Sequence, residues 1–107
     1  MAHDDAPLGT FEEQVMLAVI RTAPESFGMS VRRELEEVTG RNVAVGAVYA
    51  TLDRLEAKRL VSSKRATLDG VSRRLFAVTS PGVTALAESR AMRDQLWSGV
   101  QLRAEPR

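Results

Sequence analysis

The chain has 107 residues, of which 44% are hydrophobic, and a formal net charge of +1. This length supports one small domain, and the apolar fraction excludes a wholly disordered chain. There is no cysteine and only one histidine, His3, which excludes thiolate metal sites and leaves little for histidine-dependent catalysis. No apolar run reaches the roughly 18 residues of a membrane span. We therefore expect a cytoplasmic protein that binds no cofactor, metal or membrane.

The small net charge conceals an uneven distribution along the chain. Residues 1–40 hold three Arg against eight Asp or Glu, whereas residues 54–74 hold seven Lys or Arg against two acids. A local block of positive charge attracts a polyanion even when the total charge is close to zero. The basic block therefore indicates either a nucleic-acid surface or a solvated pair of strands, and charge alone does not separate these interpretations.

The N-terminal residues predict an arm followed by a central helix. Residues 1–8 are expected to form a flexible arm. Thr10 and Glu13 have the spacing of a capping box, in which two side chains satisfy the free backbone amides at a helix start. The residues that follow, up to Ile20, are apolar on more than one face, which predicts a well-buried helix that ends before Pro24.

A stripe of apolar side chains predicts the second helix, over residues 28–39. Val31, Leu35 and Val38 lie four and three residues apart and therefore fall on one face. Gly40 stands where a left-handed residue commonly ends a helix. The connection to the next helical segment is short, and two compact helices joined this tightly indicate a helix-turn-helix.

The third helix is predicted over residues 45–58 and has two unlike faces. Its inward face consists of apolar residues at helical spacing: Val45, Val48, Leu52 and Leu55. Its outward face consists of Gly46, Ala50, Asp53, Arg54 and Ala57, with Ala47, Thr51 and Lys58 on one flank and Tyr49 on the other. The outward residues near the helix start are small, so another surface could approach the backbone closely.

A β-hairpin is predicted after Leu60, where the apolar pattern changes from helical to alternating. Two segments rich in β-branched residues flank Asp69 and Gly70, which form a strong signal for a hairpin turn. The arms carry four cations: Lys64, Arg65, Arg73 and Arg74. Three helices followed by a basic hairpin predict a winged helix-turn-helix over residues 9–79, in a mainly α-helical fold.

The last element is a long helix, predicted over residues 80–100. Ser80 is expected to cap it, and Pro81 suits the first helical position. Such a helix is about 30 Å long, which exceeds what so small a domain can cover, so a symmetric dimer would bury the remaining apolar surface. The alternative is a helix folded back on its own core. The predicted dimer interface comprises Leu86, Met92, Leu96, Trp97 and Val100, and residues 101–107 are expected to be a frayed tail.

The predicted arrangement is suited to duplex DNA. A winged helix-turn-helix places its third helix in the major groove and its hairpin on the adjacent backbone or minor groove. Small side chains and the methyl of Thr51 can contact thymine methyl groups, Tyr49 can donate to a phosphate, and the cations neutralise phosphates. Each residue alone also has a plain structural interpretation, such as half-burial of Tyr49. The predicted DNA-binding residues are Gly46, Ala47, Tyr49, Ala50, Thr51, Arg54, Lys58, Lys64, Arg65, Arg73 and Arg74.

Two long segments together resemble the PadR family of bacterial transcriptional regulators. They read "FGMSVRRELEEVTGRNVAVGAVYATLDRLEAKRLV" and "GVSRRLFAVTSPG", and the resemblance covers about residues 11–86. It implies a homodimeric repressor that binds a palindromic operator of transporter or stress genes and is released by a small ligand. Some members hold flat aromatic ligands between tryptophans at the dimer interface, which makes Trp97 a candidate ligand-binding residue. Ala44 stands where many relatives place a Ser or Thr that caps the helix and contacts phosphate, and it joins the predicted DNA-binding set.

A different class of function also fits the pattern. A winged helix can serve as a protein–protein interaction module without DNA, and the acidic second helix, with Glu34, Glu36 and Glu37, favours that alternative. An enzyme is not expected, because the sequence offers no nucleophile–base pair, no phosphate-binding loop and no metal-ligand cluster.

Overall fold

The computed structural model describes residues 8–104, which form four α-helices and one β-hairpin. In chain order the elements are α1 (Thr10–Thr22), α2 (Gly28–Thr39), α3 (Val45–Ala57), β1 (Val61–Leu68), β2 (Val71–Val78) and α4 (Ser80–Trp97). Three helices, a hairpin and a further helix make a winged helix-turn-helix with a C-terminal helix, which confirms the predicted fold class. We call the hairpin of β1 and β2 the wing.

The ends of the chain fall largely outside the described residues. The predicted flexible arm lies there except for Leu8, which packs against the core and so does not belong to an arm. Residues 105–107 of the predicted tail also lie there, while residues 101–104 are exposed and adopt neither helix nor strand. Within residues 8–104, no helix is both long enough and apolar enough to cross a membrane.

The core lies where α1, α2 and α3 meet the wing. Its fully buried side chains are Val15, Met16, Val19, Val31, Val48, Leu52, Leu55 and Val61, joined by the nearly buried Leu35 and Phe76. Full burial of one such side chain contributes roughly 1.5–3 kcal/mol, so this cluster dominates the stability of the domain. Val45 and Val38 were predicted to face inward and are exposed, because Val45 is the first residue of α3 and Val38 lies in the last turn of α2.

Helix α1 is buried on one side only. Val15, Met16 and Val19 lie in the core, whereas Leu17 is 43% exposed and Ile20 is 48% exposed. The prediction of a helix buried on more than one face was therefore wrong for the single chain. The α2, α3 and wing elements all pack on the same side of α1, which leaves an apolar stripe in contact with solvent.

The ends of α1 and α4 differ in detail from the prediction. Gly9 precedes α1, and its amide donates to Oε1 of Glu12 at 2.9 Å, so the predicted Thr10–Glu13 capping box is wrong. Thr79, not Ser80, caps α4, since its Oγ1 accepts a hydrogen bond from the Gly82 amide at 3.1 Å. In both cases the capping position lies one residue earlier than predicted.

The wing is a regular antiparallel hairpin. Its register pairs Val61 with Val78 at the base and Leu68 with Val71 at the tip. Asp69 and Gly70 form the turn with φ of 51° and 77°, the left-handed geometry of a tight hairpin turn, which confirms the predicted turn.

The connection between α1 and α2 runs beside β2. The Phe76 amide donates to the Ser26 carbonyl at 2.7 Å, and this bond fixes the wing against the start of α2. Ser26 is itself fully buried, and its hydroxyl donates to the Val19 carbonyl at 2.6 Å. The same connection continues into Phe27, which therefore stands next to the wing.

The first half of helix α4 packs against the rest of the domain, and its C-terminal end extends away from it. Gly82 lies against the backbone of Leu60, and the buried Ser89 donates to Oε1 of Glu13 at 2.9 Å. Arg93 also bonds the Glu13 carboxylate. After these contacts the helix continues to Trp97, so Val100 lies beyond its end.

Candidate nucleic-acid interface

The exposed face of α3 begins with small side chains. Gly46, Ala47 and Ala50 are all exposed, and a Cβ added to Gly46 would meet nothing within 4 Å. Ala44 precedes the helix, is also exposed, and caps it with no side-chain hydrogen bond. This low surface allows close approach to the α3 backbone, which a helix that enters the major groove needs.

Thr51 is not part of that exposed face. It is only 1% exposed, and its hydroxyl accepts a hydrogen bond from Nη2 of Arg54 at 3.1 Å. Position 51 lies three residues after Val48 and four before Leu55, so it falls on the inward stripe of the helix. The predicted base contact by Thr51 is therefore wrong, and its role is to hold Arg54.

The ring of Tyr49 lies against the start of α2. A Cβ added to Gly28 would stand 2.2 Å from Cζ of the Tyr49 ring, so only glycine leaves room for this ring. Tyr49 is 39% exposed, which agrees with the half-buried interpretation while leaving part of the phenol open to solvent.

Arg74 joins the wing to α3. Its guanidinium bonds Oδ1 of Asp53 at 3.0 Å and the Glu56 carboxylate, and its Nε donates to Oγ of Ser63 at 3.1 Å. It also lies 4.7 Å above the Phe76 ring. Arg74 was predicted to neutralise DNA phosphates, but two carboxylates already compensate its charge.

The pKa shifts in this network follow from the same contacts. The hydrogen bond from Ser63 and that from Arg74 hold the pKa of Glu56 below its usual value. Burial opposes the charged form of Arg74, yet the bonds to Glu56 and Asp53 outweigh it and raise the pKa of Arg74. Exposed ion pairs contribute only about 0–1 kcal/mol each, so this network mainly orients the wing relative to α3.

Lys58 is engaged in a similar way with α1. Its Nζ lies 3.0 Å from Oε2 of Glu12. Burial raises the pKa of Glu12, but the Gly9 amide and Lys58 outweigh this and lower it below the usual value. Lys58 was predicted to contact phosphate, and in the structure it ties the end of α3 to the start of α1.

The other predicted cations form no ion pair among the described residues, although the charge of Arg54 still helps to lower the pKa of Glu12. Within residues 8–104, no Asp or Glu oxygen lies within 4 Å of a side-chain nitrogen of Arg54, Lys64, Arg65 or Arg73. The same holds there for Arg33 on α2. These groups occupy α3, the wing and the neighbouring helix α2.

A cleft of about 250 Å³ lies between α2, α3 and the wing, and we call it the wing cleft. It is lined by Phe27, Tyr49, Arg65, Ser72, Arg73 and Arg74. The Arg73 guanidinium lies 4.2 Å above the Phe27 ring, and that of Arg33 lies 5.9 Å from the same ring. Sequence reasoning missed Phe27 and Arg33, since only the fold brings them to the wing. The available signal was an unexplained aromatic residue directly before α2.

The predicted dimer residues divide into two groups. Leu86 is partly buried against the core of its own chain, so its assignment to a dimer interface is not supported. Met92, Leu96, Trp97 and Val100 are exposed, with Leu96 at 71% and Trp97 at 56%.

Within residues 8–104, no three His, Cys, Asp or Glu side chains come together as metal ligands could.

Comparison with known proteins identifies the relatives of this fold. Residues 16–88 match the Transcriptional regulator PadR-like family. The Transcriptional regulator Rv3488 of Mycobacterium tuberculosis is 40% identical over 57 residues, which is 53% of this chain and 53% of that protein. The match thus spans about half the length of the curated relative.

Solved structures with the same fold include two of RosR and one of a PadR-like transcription factor. RosR of H. salinarum is 26% identical with a TM-score of 0.69, over 92% of this chain and 84% of that one. The complex structure of hsRosR-S4 gives 26% identity and a TM-score of 0.67, over 88% and 77%. A PadR-like transcription factor from Bacteroides fragilis, at 24% identity, supports the fold with a TM-score of 0.73, over 84% and 85%.

Proposed function

Because the chain belongs to the PadR-like family of transcriptional regulators, we propose that it binds a palindromic DNA operator as a homodimer and represses transcription. The family is a non-enzymatic class, in agreement with the expectation that this chain is not an enzyme. The observation that carries the proposal is the surface formed by the low face of α3 and the cations beside it that form no ion pair among the described residues. In this proposal residues 9–79 bind DNA and residues 80–100 form the dimer.

The α3 helix enters the major groove in this proposal. Gly46, Ala47 and Ala50 allow the helix backbone to approach the base edges, and the alanine methyl groups contact thymine methyl groups. Arg54, held by Thr51, and the wing cations contact phosphates on either side. Few long polar side chains point from this face, so affinity rests largely on the DNA backbone.

The exposed apolar surface supports the homodimer. Met92, Leu96 and Trp97 on α4, and Leu17 and Ile20 on α1, are large apolar side chains in contact with solvent. Contiguous apolar surface of this kind marks interaction sites, and a two-fold axis would bury the same surface of both copies. A dimer would also present two α3 helices to successive major grooves, as a palindromic operator requires.

A small aromatic effector would act at the same interface. Support comes from the family resemblance and from the exposed indole of Trp97, which a planar ligand could stack on. Binding there would change the spacing of the two α3 helices and release the operator of transporter or stress genes. Titration of planar aromatic compounds should quench or shift Trp97 fluorescence, and a broad panel without any response would leave repression independent of a ligand.

The alternative, a protein-interaction module without DNA, receives less support from the structure. Glu34 is paired with Arg21 at 2.6 Å. Glu36 accepts a hydrogen bond from the Val43 amide at 2.9 Å and lies 3.5 Å from Arg32. Two of the three acidic residues of α2 are therefore engaged within the chain and offer little charge to a basic partner protein.

Filter binding with the DNA upstream of the protein's own gene tests the proposal. The affinity should fall steeply between about 50 and 200 mM salt, because each phosphate contact releases counterions. A protein that retains no duplex at low salt, or whose affinity does not respond to salt, would contradict DNA binding. Binding partners captured without DNA would then favour the interaction module.

A further inference from the structure

The wing cleft is cationic, whereas pockets for organic ligands are mostly apolar. Three arginines stand among its six lining residues. A small anion fits that chemistry. The cleft opens where α2, α3 and the wing converge, beside the face of α3 that lies against DNA in the proposed function.

Arg73 is fixed in the cleft without losing its hydrogen-bond donors. Its guanidinium stacks 4.2 Å above the Phe27 ring. Stacking occupies a face of the planar group and leaves the N–H groups, which lie in its plane, free to donate. Among residues 8–104 no carboxylate lies within 4 Å of it. Arg73 is therefore oriented, charged and still able to bind an anion with two hydrogen bonds.

Arg74 has the opposite situation, although it is adjacent in sequence. Its nitrogens are used by Asp53, Glu56 and Ser63, so it positions the wing and offers little to an anion. Arg65 stands directly opposite Arg74 in the wing register, so these two side chains leave the same face of the hairpin, and that of Arg73 leaves the other face.

We propose that the wing cleft binds a single phosphate group, whose oxygens accept hydrogen bonds from Arg73. Phe27 is the positioning residue that orients Arg73. The inference rests on the proposed function, because in the DNA complex the group is a phosphodiester of the backbone beside the groove that α3 enters. Inorganic phosphate presents the same oxygens, and it serves as a separate probe of the cleft.

The salt dependence of DNA binding tests the role of Arg73. Arg73→Gln should lower affinity for every sequence and make the slope of log K against log salt shallower by about 0.9, the value for one lost phosphate contact. Arg103→Gln is the matched control, since it removes the same charge from an exposed residue beyond α4. Equal slopes for the two variants would overturn the proposal.

A double-mutant cycle tests Phe27. Phe27→Leu keeps an apolar side chain but removes the ring face, and it should weaken binding about threefold to tenfold when Arg73 is present. In the Arg73→Gln background the same change should have almost no effect, because no guanidinium remains to be oriented. An equal loss in both backgrounds would show that Phe27 acts only through the fold, which would refute its positioning role.

Inorganic phosphate separates this inference from DNA binding itself. The Nε–H resonance of Arg73 should shift on titration with phosphate and not with chloride at the same ionic strength, and Arg73→Gln should abolish the effect. If the protein binds no DNA, the proposed function fails. The shift of the Arg73 resonance with phosphate then shows by itself whether the cleft binds an anion. In the other outcome, DNA binds normally while the salt slopes, the double-mutant cycle and the Arg73 resonance reveal no contribution from the cleft. In that case the cleft proposal fails and the proposed function stands.

Discussion

Replacement of Gly82 by alanine should destabilise the junction between the wing and α4. A Cβ at this position would lie 2.1 Å from the carbonyl oxygen of Leu60 and 2.7 Å from Cγ1 of Val78. The Leu60 carbonyl cannot withdraw freely, because it accepts a hydrogen bond from the Thr79 amide at 3.0 Å. The added methyl group therefore has to displace α4 or the connection between α3 and β1.

The magnitude follows from two opposing contributions. Glycine to alanine within a helix normally gains up to about 1 kcal/mol, whereas overpacking of a closed site costs about 1–3 kcal/mol. We expect a net loss of about 1–2 kcal/mol for Gly82→Ala. For a domain of this size each kcal/mol corresponds to roughly 4–8 °C, so the melting temperature should fall by about 5–15 °C.

Gly46→Ala provides the matched control. A Cβ at Gly46 meets nothing within 4 Å, so the same substitution in α3 should raise the melting temperature by a few degrees. Calorimetry at one fixed protein concentration compares both variants with the parent chain, since the proposed dimer would make stability depend on concentration. A Gly82→Ala protein as stable as the Gly46→Ala protein would refute the close approach of α4 to the Leu60 carbonyl.

Three further predictions concern the wing, its anchor and the proposed dimer. Since Ser63 and Arg74 lower the folded-state pKa of Glu56, its stabilising contribution should hold above about pH 4.5 and disappear at lower pH. Glu56→Gln should therefore lose less stability than the parent between pH 5 and 3, and equal losses would refute the assignment. Gly70→Ala, at φ 77°, should cost about 1–2 kcal/mol in urea unfolding, and no loss would contradict the left-handed turn. Emission from Trp97 should shift to the blue as protein concentration rises; constant emission would argue against a dimer through α4.

Local patterns in the sequence predicted most of the backbone. Helix α2 begins and ends where the apolar stripe and Gly40 indicate, and the turn at Asp69 and Gly70 has the expected geometry. These features depend on neighbours within a few residues, so one segment of chain contains the whole signal. The caps of α1 and α4 were misplaced by one residue: Thr79 and Ser80 offer similar hydroxyls, and Glu12 and Glu13 offer similar carboxylates.

The candidate site was harder to predict because its contacts join distant segments. Arg73 and Arg74 look equivalent in sequence, and only the fold shows that one stacks on Phe27 while the other binds carboxylates of α3. Thr51 was predicted on a flank of the outward face, although its spacing from Val48 places it on the inward stripe, where it is buried. Pairing of charges and burial of a polar residue are decided by tertiary structure.

The different partners of Arg73 and Arg74 have a consequence for how such regulators diversify. Because Arg74 sets the wing's orientation through α3, a change at position 73 can alter the contact made in the proposed DNA complex without reorienting the wing. If the proposed function holds, a duplicated gene could acquire weaker or stronger DNA binding through one codon. The reverse change, at position 74, would disturb geometry and charge together, so evolution has far less freedom there.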